Sequence, residues 1–134
     1  MRGKISQIGS ASALISAVVD ERTWNVLNVA AAAGSISQPY IYDYTAGVGY
    51  DEIDLPVSIS LGHQVDGNAL FKNDMDVDQI FSLMLEFIDP DGVSRGQISY
   101  PDHLLHAYAG LGLTTDKVIL DIAGMWKLHA LMEA

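Results

Sequence analysis

Three aspartates alternate along residues 74–78 and form the first group of side chains that could do chemistry. Asp74, Asp76 and Asp78 have the D-x-D-x-D spacing that opens many calcium-binding loops, where alternate carboxylates converge on a hard cation. The rest of an EF-hand loop is absent, because Gln79 and Leu85 stand where that motif requires Gly and Glu. The spacing therefore predicts a solvated loop between strands or, as the alternative, a weak calcium site.

A second group of metal-ligand side chains consists of Asp102, His103 and His106. Two histidines at this spacing lie on one face of a helix and can share a metal there. No third or fourth ligand has diagnostic spacing, so a pair of surface histidines is the simpler interpretation. His63 and His129 are interpreted as structural or exposed, because each follows or belongs to a strand pattern.

A cluster of aromatic side chains offers a third kind of chemistry, which is contact with a ligand or a partner. The cluster consists of Tyr40, Tyr42, Tyr44 and Tyr50. Tyrosines with flexible polar neighbours make good contact surfaces for proteins or sugars. Alternating aromatics are equally what a half-buried strand prefers, so packing is the competing interpretation.

Patterns for nucleophilic catalysis and phosphate binding are incomplete. Residues 8–12 contain Gly9 and Ser10 but lack the second glycine of a nucleophile elbow. Residues 47–51 contain two glycines but neither the lysine nor the following helix of a phosphate loop. With no cysteine in the chain, thiolate chemistry is excluded. These observations favour a non-enzymatic protein.

The composition describes one folded domain spanning residues 1–134. Hydrophobic residues make up 49% of the chain and charged residues only 18%, a balance that supplies enough apolar surface for a core. The net charge of −10 repels phosphates, which argues against nucleic-acid partners and anionic lipid. No run reaches the ~20 apolar residues of a membrane helix, so no membrane insertion is expected. The compartment stays open, with an extracellular, surface or virion setting slightly favoured.

Period-two alternation is the strongest structural signal. Residues 53–61 place Ile53, Leu55, Val57, Ile59 and Leu61 on one face, which predicts a half-buried strand. Residues 80–88 alternate in the same way and stop at a Pro-Gly turn, residues 89–92.

Further elements are predicted from shorter patterns. Residues 117–122 and 126–130 are predicted to form a closing hairpin. Residues 23–29 and 40–44 are predicted strands, residues 11–19 fit a strand or a short helix, residues 30–33 could add a helical turn, and residues 100–108 fit a short helix. Seven or eight short strands with at most one or two short helices predict an all-β, antiparallel β-sandwich.

The second half of the chain resembles the immunoglobulin-like sandwiches of many extracellular, cell-surface and virion proteins. The resemblance rests on the proline-containing strand pattern at 53–61, the strand that runs into the turn at 89–92, the approach at 114–120 and the Gly-x-Trp entry at 123–128. It covers residues 53–133 and implies a sandwich architecture. The cysteine pair of antibody domains is absent, and the resemblance transfers no functional residue.

Taken together, the residues favour a structural or protein-interaction module, such as a subunit of a virion, a surface layer or another large assembly. Its partner would be another protein or a second copy of the chain, because a mean hydropathy of +0.20 in so acidic a chain indicates covered apolar surface. Outward-facing apolar side chains are expected at Met84, Met125, Leu131 and Met132. The alternatives are a carbohydrate- or small-ligand-binding module that uses the tyrosine cluster with calcium at residues 74–78, and a small metal-dependent hydrolase that uses residues 102–106.

Overall fold

The computed structural model describes residues 12–21 and 34–134, and the described residues form ten strands and one 3-10 turn. In chain order these are β1 Ser12–Glu21, β2 Gly34–Asp43, β3 Val48–Tyr50, the 3-10 turn Glu52–Asp54, β4 Val57–Ser60, β5 Gln64–Asn73, β6 Gln79–Ile88, β7 Ser94–Leu105, β8 Gly110–Thr114, β9 Val118–Ile119 and β10 Gly124–Glu133. No helix long and apolar enough to cross a bilayer occurs in this part of the chain.

The strands form two sheets, which confirms the predicted all-β sandwich. Sheet A has the order β4–β1–β10–β6–β7, and sheet B has the order β3–β2–β5–β8 with β9 also beside β5. Every pairing is antiparallel except that of β1 with β10, which is parallel. The expectation of a purely antiparallel sandwich is therefore corrected at this one pair, where the first and last described strands run side by side.

The core lies between the sheets and follows the alternation of the central strands. On β6 the buried side chains are Phe81, Leu83, Leu85 and Phe87, as predicted from their shared face. On β10 they are Trp126, Leu128, Ala130 and Met132. The outward placement of Met132 was therefore wrong, because it shares the phase of Trp126 in a period-two strand, whereas Met125 is 56% exposed.

The strand predicted at residues 53–61 is shorter than its pattern. Asp51 and Asp54 close a capping box around the 3-10 turn, and β4 begins only after Pro56. Ile53 is 90% exposed and faces away from the core. Hydrogen bonds within the turn, such as Asp51 N–H to Oδ2 of Asp54, satisfy backbone donors locally. Such local bonds compete with strand pairing, and the 3-10 turn forms here instead of a strand.

The predicted closing hairpin does not form. β9 pairs with β5 in sheet B, while β10 pairs with β1 and β6 in sheet A. The chain crosses between the sheets through Gly124, whose φ of 127° suits only glycine. Trp126 donates its indole N–H to the carbonyl of Ile122 at 2.8 Å, which fixes the crossing.

The short helix predicted over residues 100–108 is also wrong, because β7 continues as a strand to Leu105. Its backbone pairs with β6, placing His103 opposite Phe81 and Leu104 opposite Ile80. Pro101, and Asp102 with a φ of 52°, oppose a helix at this position. Ladder pairing with a distant strand therefore overrides the local helical spacing.

The ambiguity at residues 11–19 resolves in favour of a strand, since β1 pairs on both sides with β4 and β10. The strand predicted at residues 23–29 and the helical turn considered at 30–33 lie outside the described residues. The turn predicted at residues 89–92 is present, with Gly92 at a φ of 82°.

The connecting loops gather at two ends of the sandwich. The Asp43 end contains loops 44–47, 61–63, 89–93, 115–117 and 120–123, which are joined by backbone hydrogen bonds such as Gly62 N–H to the Leu120 carbonyl. The Asn73 end contains loops 74–78 and 106–109, which are joined by Tyr108 N–H to the Met75 carbonyl. Candidate functional groups occur at both ends and on the outer face of sheet B.

Candidate functional site

A buried carboxylate organises the Asp43 end. Asp43 is 1% exposed, and one of its oxygens accepts the backbone N–H groups of Thr45 and Ala46, each at 3.0 Å. Its other oxygen lies 2.7 Å from Nδ1 of His63. This arrangement orients an imidazole as an acid–base pair does. In the described part of the chain, no hydroxyl is hydrogen-bonded to the second ring nitrogen of His63, so no nucleophile completes the pair.

Next to this pair, Tyr44 is fixed by charged neighbours. Its hydroxyl donates to Oδ2 of Asp66 at 2.6 Å, and Nζ of Lys117 lies 4.3 Å from the ring centroid. The hydrogen bond to the Asp66 carboxylate raises the pKa of Tyr44, because ionising the phenol would place two negative charges side by side. Tyr44 is thus held between a carboxylate and a cation.

A second charged group at the Asp43 end centres on Arg95. Its guanidinium binds Asp121 at 3.0 and 3.1 Å and Asp89 at 3.3 Å, and it lies 5.2 Å above the Trp126 ring. Backbone hydrogen bonding from Val93, together with Arg95, holds the pKa of Asp89 below its usual range. Arg95 likewise lowers the pKa of Asp121. These contacts tie the β6–β7 turn to the crossing that leads into β10.

Three of the four predicted tyrosines, Tyr40, Tyr42 and Tyr44, alternate with buried residues and face outward from sheet B, whereas Tyr50 does not. Tyr40 and Tyr42 are half-buried, Tyr44 lies 4.7 Å from Tyr42 in an edge-to-face contact, and Tyr50 packs against the core. The Tyr40 ring passes so close over Gly49 that no Cβ would fit there. Of the four, only Tyr40 lines the groove described below.

The Asn73 end is organised by a neutral side chain. Asn73 is fully buried, and its amide nitrogen contacts the carbonyls of Val77 at 2.8 Å, Leu105 at 3.0 Å and His106 at 3.2 Å. Its amide oxygen accepts the N–H of Met75 at 2.9 Å. One buried amide therefore fixes both loops of this end.

The predicted metal ligands are placed by that arrangement. Asp74, Asp76 and Asp78 are exposed, and Asp78 binds Nδ1 of His106 and the N–H of Ala107, each at 3.0 Å. The hydrogen bond from His106 lowers the pKa of Asp78.

His103 lies on β7 beside Tyr100, so a shared helical face with His106 does not exist. Among residues 12–21 and 34–134, no three His, Asp or Glu side chains gather as a ligand set. Calcium binding at residues 74–78 stays a prediction.

A further ion pair lies on the outer face of sheet A. Glu86 is 6% exposed and accepts hydrogen bonds from His129 at 2.8 Å, from Ser94 and from Gln97. Burial by itself raises the pKa of Glu86, but the three hydrogen bonds outweigh it and the pKa lies below the usual range. His129, predicted as structural or exposed, is thus half-buried and paired.

Exposed apolar side chains gather beside the Asn73 end. Ile80 and Leu104 lie directly opposite each other on β6 and β7 and are 51% and 48% exposed. Val77 and Tyr108, on the two adjoining loops, are 40% and 61% exposed. We call these four side chains the apolar end patch.

A groove of about 750 Å³ lies on the outer face of sheet B. It is lined by Gln38, Pro39, Tyr40, Asp51, Glu52, Ile53, Asn68, Ala69, Leu70, Gly112, Leu113 and Thr114. On its rim, the hydrogen bond between the side chains of Asp51 and Asp54 raises the pKa of Asp51. Sequence reasoning found only Tyr40 among the lining residues, because the others come from segments that are far apart in the chain.

Comparison of the chain with protein-family models, with curated proteins and with solved structures gave no match. The fold and the geometry of these sites are therefore the basis for any functional conclusion.

Proposed function

We propose that this protein is a non-enzymatic interaction subunit that associates with a second copy of the chain through the apolar end patch. The observation that carries the proposal is the Ile80–Leu104 pair. Both side chains are about half exposed and stand opposite each other on neighbouring strands, which is where a monomeric sheet would place polar residues. Contiguous exposed apolar side chains are typical of contact surfaces.

The adjoining edge strand favours contact through side chains. β7 is twelve residues long and forms the outer edge of sheet A. A long edge normally invites pairing with another strand. Here Pro101 removes one backbone donor, and the pairing with β6 is irregular at two positions. Proline and bulges protect an edge from strand addition, so the exposed side chains would make the contact.

Charges around the patch define how association depends on salt. Asp76 and Asp78 flank Val77 and are exposed, and the whole chain carries a net charge of −10. Two copies that meet at this end bring acidic rims together. The repulsion between them is screened by salt, whereas apolar contact is not weakened by it. Association should therefore strengthen as the salt concentration rises.

The proposal of a non-enzymatic role is supported by the described acid–base groups. The Asp43–His63 pair has no nucleophile hydrogen-bonded to it among the described residues. The hydrolase alternative at Asp102, His103 and His106 required a helix, and Asp102 and His103 lie on a strand instead. An assembly such as a virion or a surface layer is the setting we propose, with no nucleic-acid partner because of the acidic charge.

The immunoglobulin-like resemblance enters this proposal as architecture only. Two sheets packed face to face support it. The placement of β9 and β10 in different sheets departs from that family, in which the last two strands pair in one sheet.

Sedimentation velocity across the micromolar range tests the proposal. The protein should show concentration-dependent association that is stronger at about 0.5 M salt than at about 0.05 M. The variant Ile80→Ser/Leu104→Ser should remain a monomer.

Met125→Ser is the matched control, because Met125 is equally exposed but lies at the start of β10, away from the patch. It should associate like the unmodified protein. A monomer at every concentration and salt level, or equal losses in both variants, would contradict the proposal.

A further inference from the structure

The groove on sheet B is built from two rows of side chains that cross three strands. One row is polar: Tyr40 on β2 lies opposite Asn68 on β5, which lies opposite Thr114 on β8. The next row is less polar: Ser37 lies opposite Leu70, which lies opposite Gly112. Because opposite residues in antiparallel strands share a face, both rows face outward from the sandwich.

An irregularity in β2 places a fourth polar side chain, Gln38, beside the polar row. The pairing of β2 with β5 shifts between Ser37 and Tyr40, and Gln38 within that bulge has a φ of 55°. A positive φ is costly for a residue with a side chain, and bulges commonly re-aim side chains beside binding sites. Gln38 and Pro39 both line the groove as a result.

Several polar groups of the groove form no hydrogen bond within the described part of the chain. Asn68 accepts the Thr114 hydroxyl through its amide oxygen, which orients the side chain. Its amide nitrogen has no hydrogen-bond partner among the described residues. The side chain of Gln38 and the hydroxyl of Tyr40 likewise make no hydrogen bond within the described part of the chain. Amide donors and acceptors on the groove floor and wall are therefore available to hydrogen-bond a ligand.

The charge of the lining disfavours anionic ligands. Among the described residues that line the groove there is no Lys, Arg or His, and Asp51 and Glu52 stand on its rim. Leu70, Pro39 and Ile53 add apolar surface next to the polar row. Flat amide and carboxylate groups that bind hydroxyls, beside apolar side chains that accept a C–H face, match the alternating surfaces of a sugar ring.

We propose that this groove binds a short chain of neutral sugars, with Asn68, Gln38 and Tyr40 contacting the hydroxyl groups and Leu70 contacting a ring face. The open shape on a sheet surface suits an extended ligand. The site lies on sheet B and the apolar end patch on sheet A, so the proposal stands apart from the proposed assembly and either can fail alone.

Gly112 provides a test that leaves the fold intact. A Cβ at Gly112 would meet no atom within 4 Å, so the backbone has room for a side chain there, and a tryptophan at this position of the lining should obstruct the groove. Ser99→Trp is the matched control, because Ser99 is an exposed strand residue on sheet A. Equal melting temperatures of both variants and the unmodified protein establish that folding is unchanged.

The experiment is a titration followed by amide NMR, with short oligosaccharides of glucose, mannose, galactose or N-acetylglucosamine as probes. At least one probe should bind with a Kd of about 1 mM or tighter and shift the amides of residues 38–40, 68–70 and 112–114. Gly112→Trp should weaken that binding by about tenfold or more, while Ser99→Trp leaves it unchanged.

Two outcomes would overturn the proposal. One is the absence of a response to every sugar probe. The other is binding that shifts amides outside the groove and survives Gly112→Trp.

Discussion

The loops at the two ends of the sandwich are held together by buried polar side chains of different chemistry. At the Asp43 end the loops are held by several buried polar side chains, among them Asp43, which is 1% exposed, and Asp89, whereas at the Asn73 end they are held by Asn73, which is fully buried. Asp43 lies 2.7 Å from Nδ1 of His63 and accepts two backbone N–H groups. Asn73 is neutral and contacts only backbone groups.

This difference affects which side chains the surface around each loop cluster can carry. A buried carboxylate is stable only with donors or a countercharge nearby. At the Asp43 end, Asp43 has two backbone N–H groups and His63, and the buried Asp89 has Arg95. A buried amide satisfied by backbone needs no countercharge. The surface at the Asn73 end is therefore free to carry apolar side chains, among them Ile80 and Leu104.

The largest effect should come from removing the amide. Asn73→Ala leaves three carbonyls and the Met75 N–H unsatisfied in a buried loop cluster, so we expect a loss of roughly 2–5 kcal/mol in the free energy of unfolding. Asn68→Ala, which removes a half-buried amide from the outer face of sheet B, should cost less than about 1 kcal/mol. Urea unfolding measures both. Similar losses would show that Asn73 is not the organiser of its end.

The charged end should respond less strongly to the corresponding change. Asp43→Asn keeps an oxygen for the Thr45 and Ala46 N–H groups but loses the charged bond to His63, so we expect a loss of about 1–2 kcal/mol. Asp78→Asn alters the same pair of residue types at an exposed position, where the partners are 56% and 73% exposed, and should change stability very little. If the exposed pair costs as much as the buried one, the role given to burial is wrong.

The stability of the Asp43 end in acid should depend on Arg95. The folded pKa values of Asp89 and Asp121 lie below their ordinary values, so the unfolded chain binds protons first as the pH falls. Their contribution is complete above the ordinary carboxyl pKa of about 4 and is lost as the pH falls through the lowered values. Arg95→Gln removes part of that lowering and should make the loss of stability between pH 7 and pH 3 shallower.

Urea midpoints measured at the two pH values check this prediction, with Lys127→Gln as the control, because Lys127 is an exposed cation of β10 outside the Arg95 cluster. If Arg95→Gln loses as much stability between pH 7 and pH 3 as the unmodified protein, the ion pairs of Arg95 do not stabilise the Asp43 end.

The smallest effect on stability is expected at the apolar end patch. Ile80→Ser and Leu104→Ser change side chains that are about half exposed, so the free energy of unfolding should stay within about 0.5 kcal/mol of the unmodified value. Thermal or urea unfolding of dilute protein measures this. A loss comparable to that of Asn73→Ala would mean that the patch is part of the core and not a contact surface.

Much of the fold could be predicted where one strand carries its own pattern. The alternation in residues 80–88 predicted the bounds of β6 within one residue and the correct buried face. Burial of one sheet face imposes period two on each strand separately, so this information is local. The candidate site was less accessible, since of the proposed tyrosines only Tyr40 lines the groove.

What the amino-acid sequence by itself determined is therefore the all-β class, the acidic charge and the inward face of the best strands. Only the tertiary structure decided that β9 and β10 belong to different sheets, that residues 100–105 extend β7, and that Gln38, Asn68 and Gly112 meet in one groove. The physical reason is that strand pairing joins backbone groups far apart in the chain. Its energy depends on the partner strand, and one strand's own residues do not encode that partner.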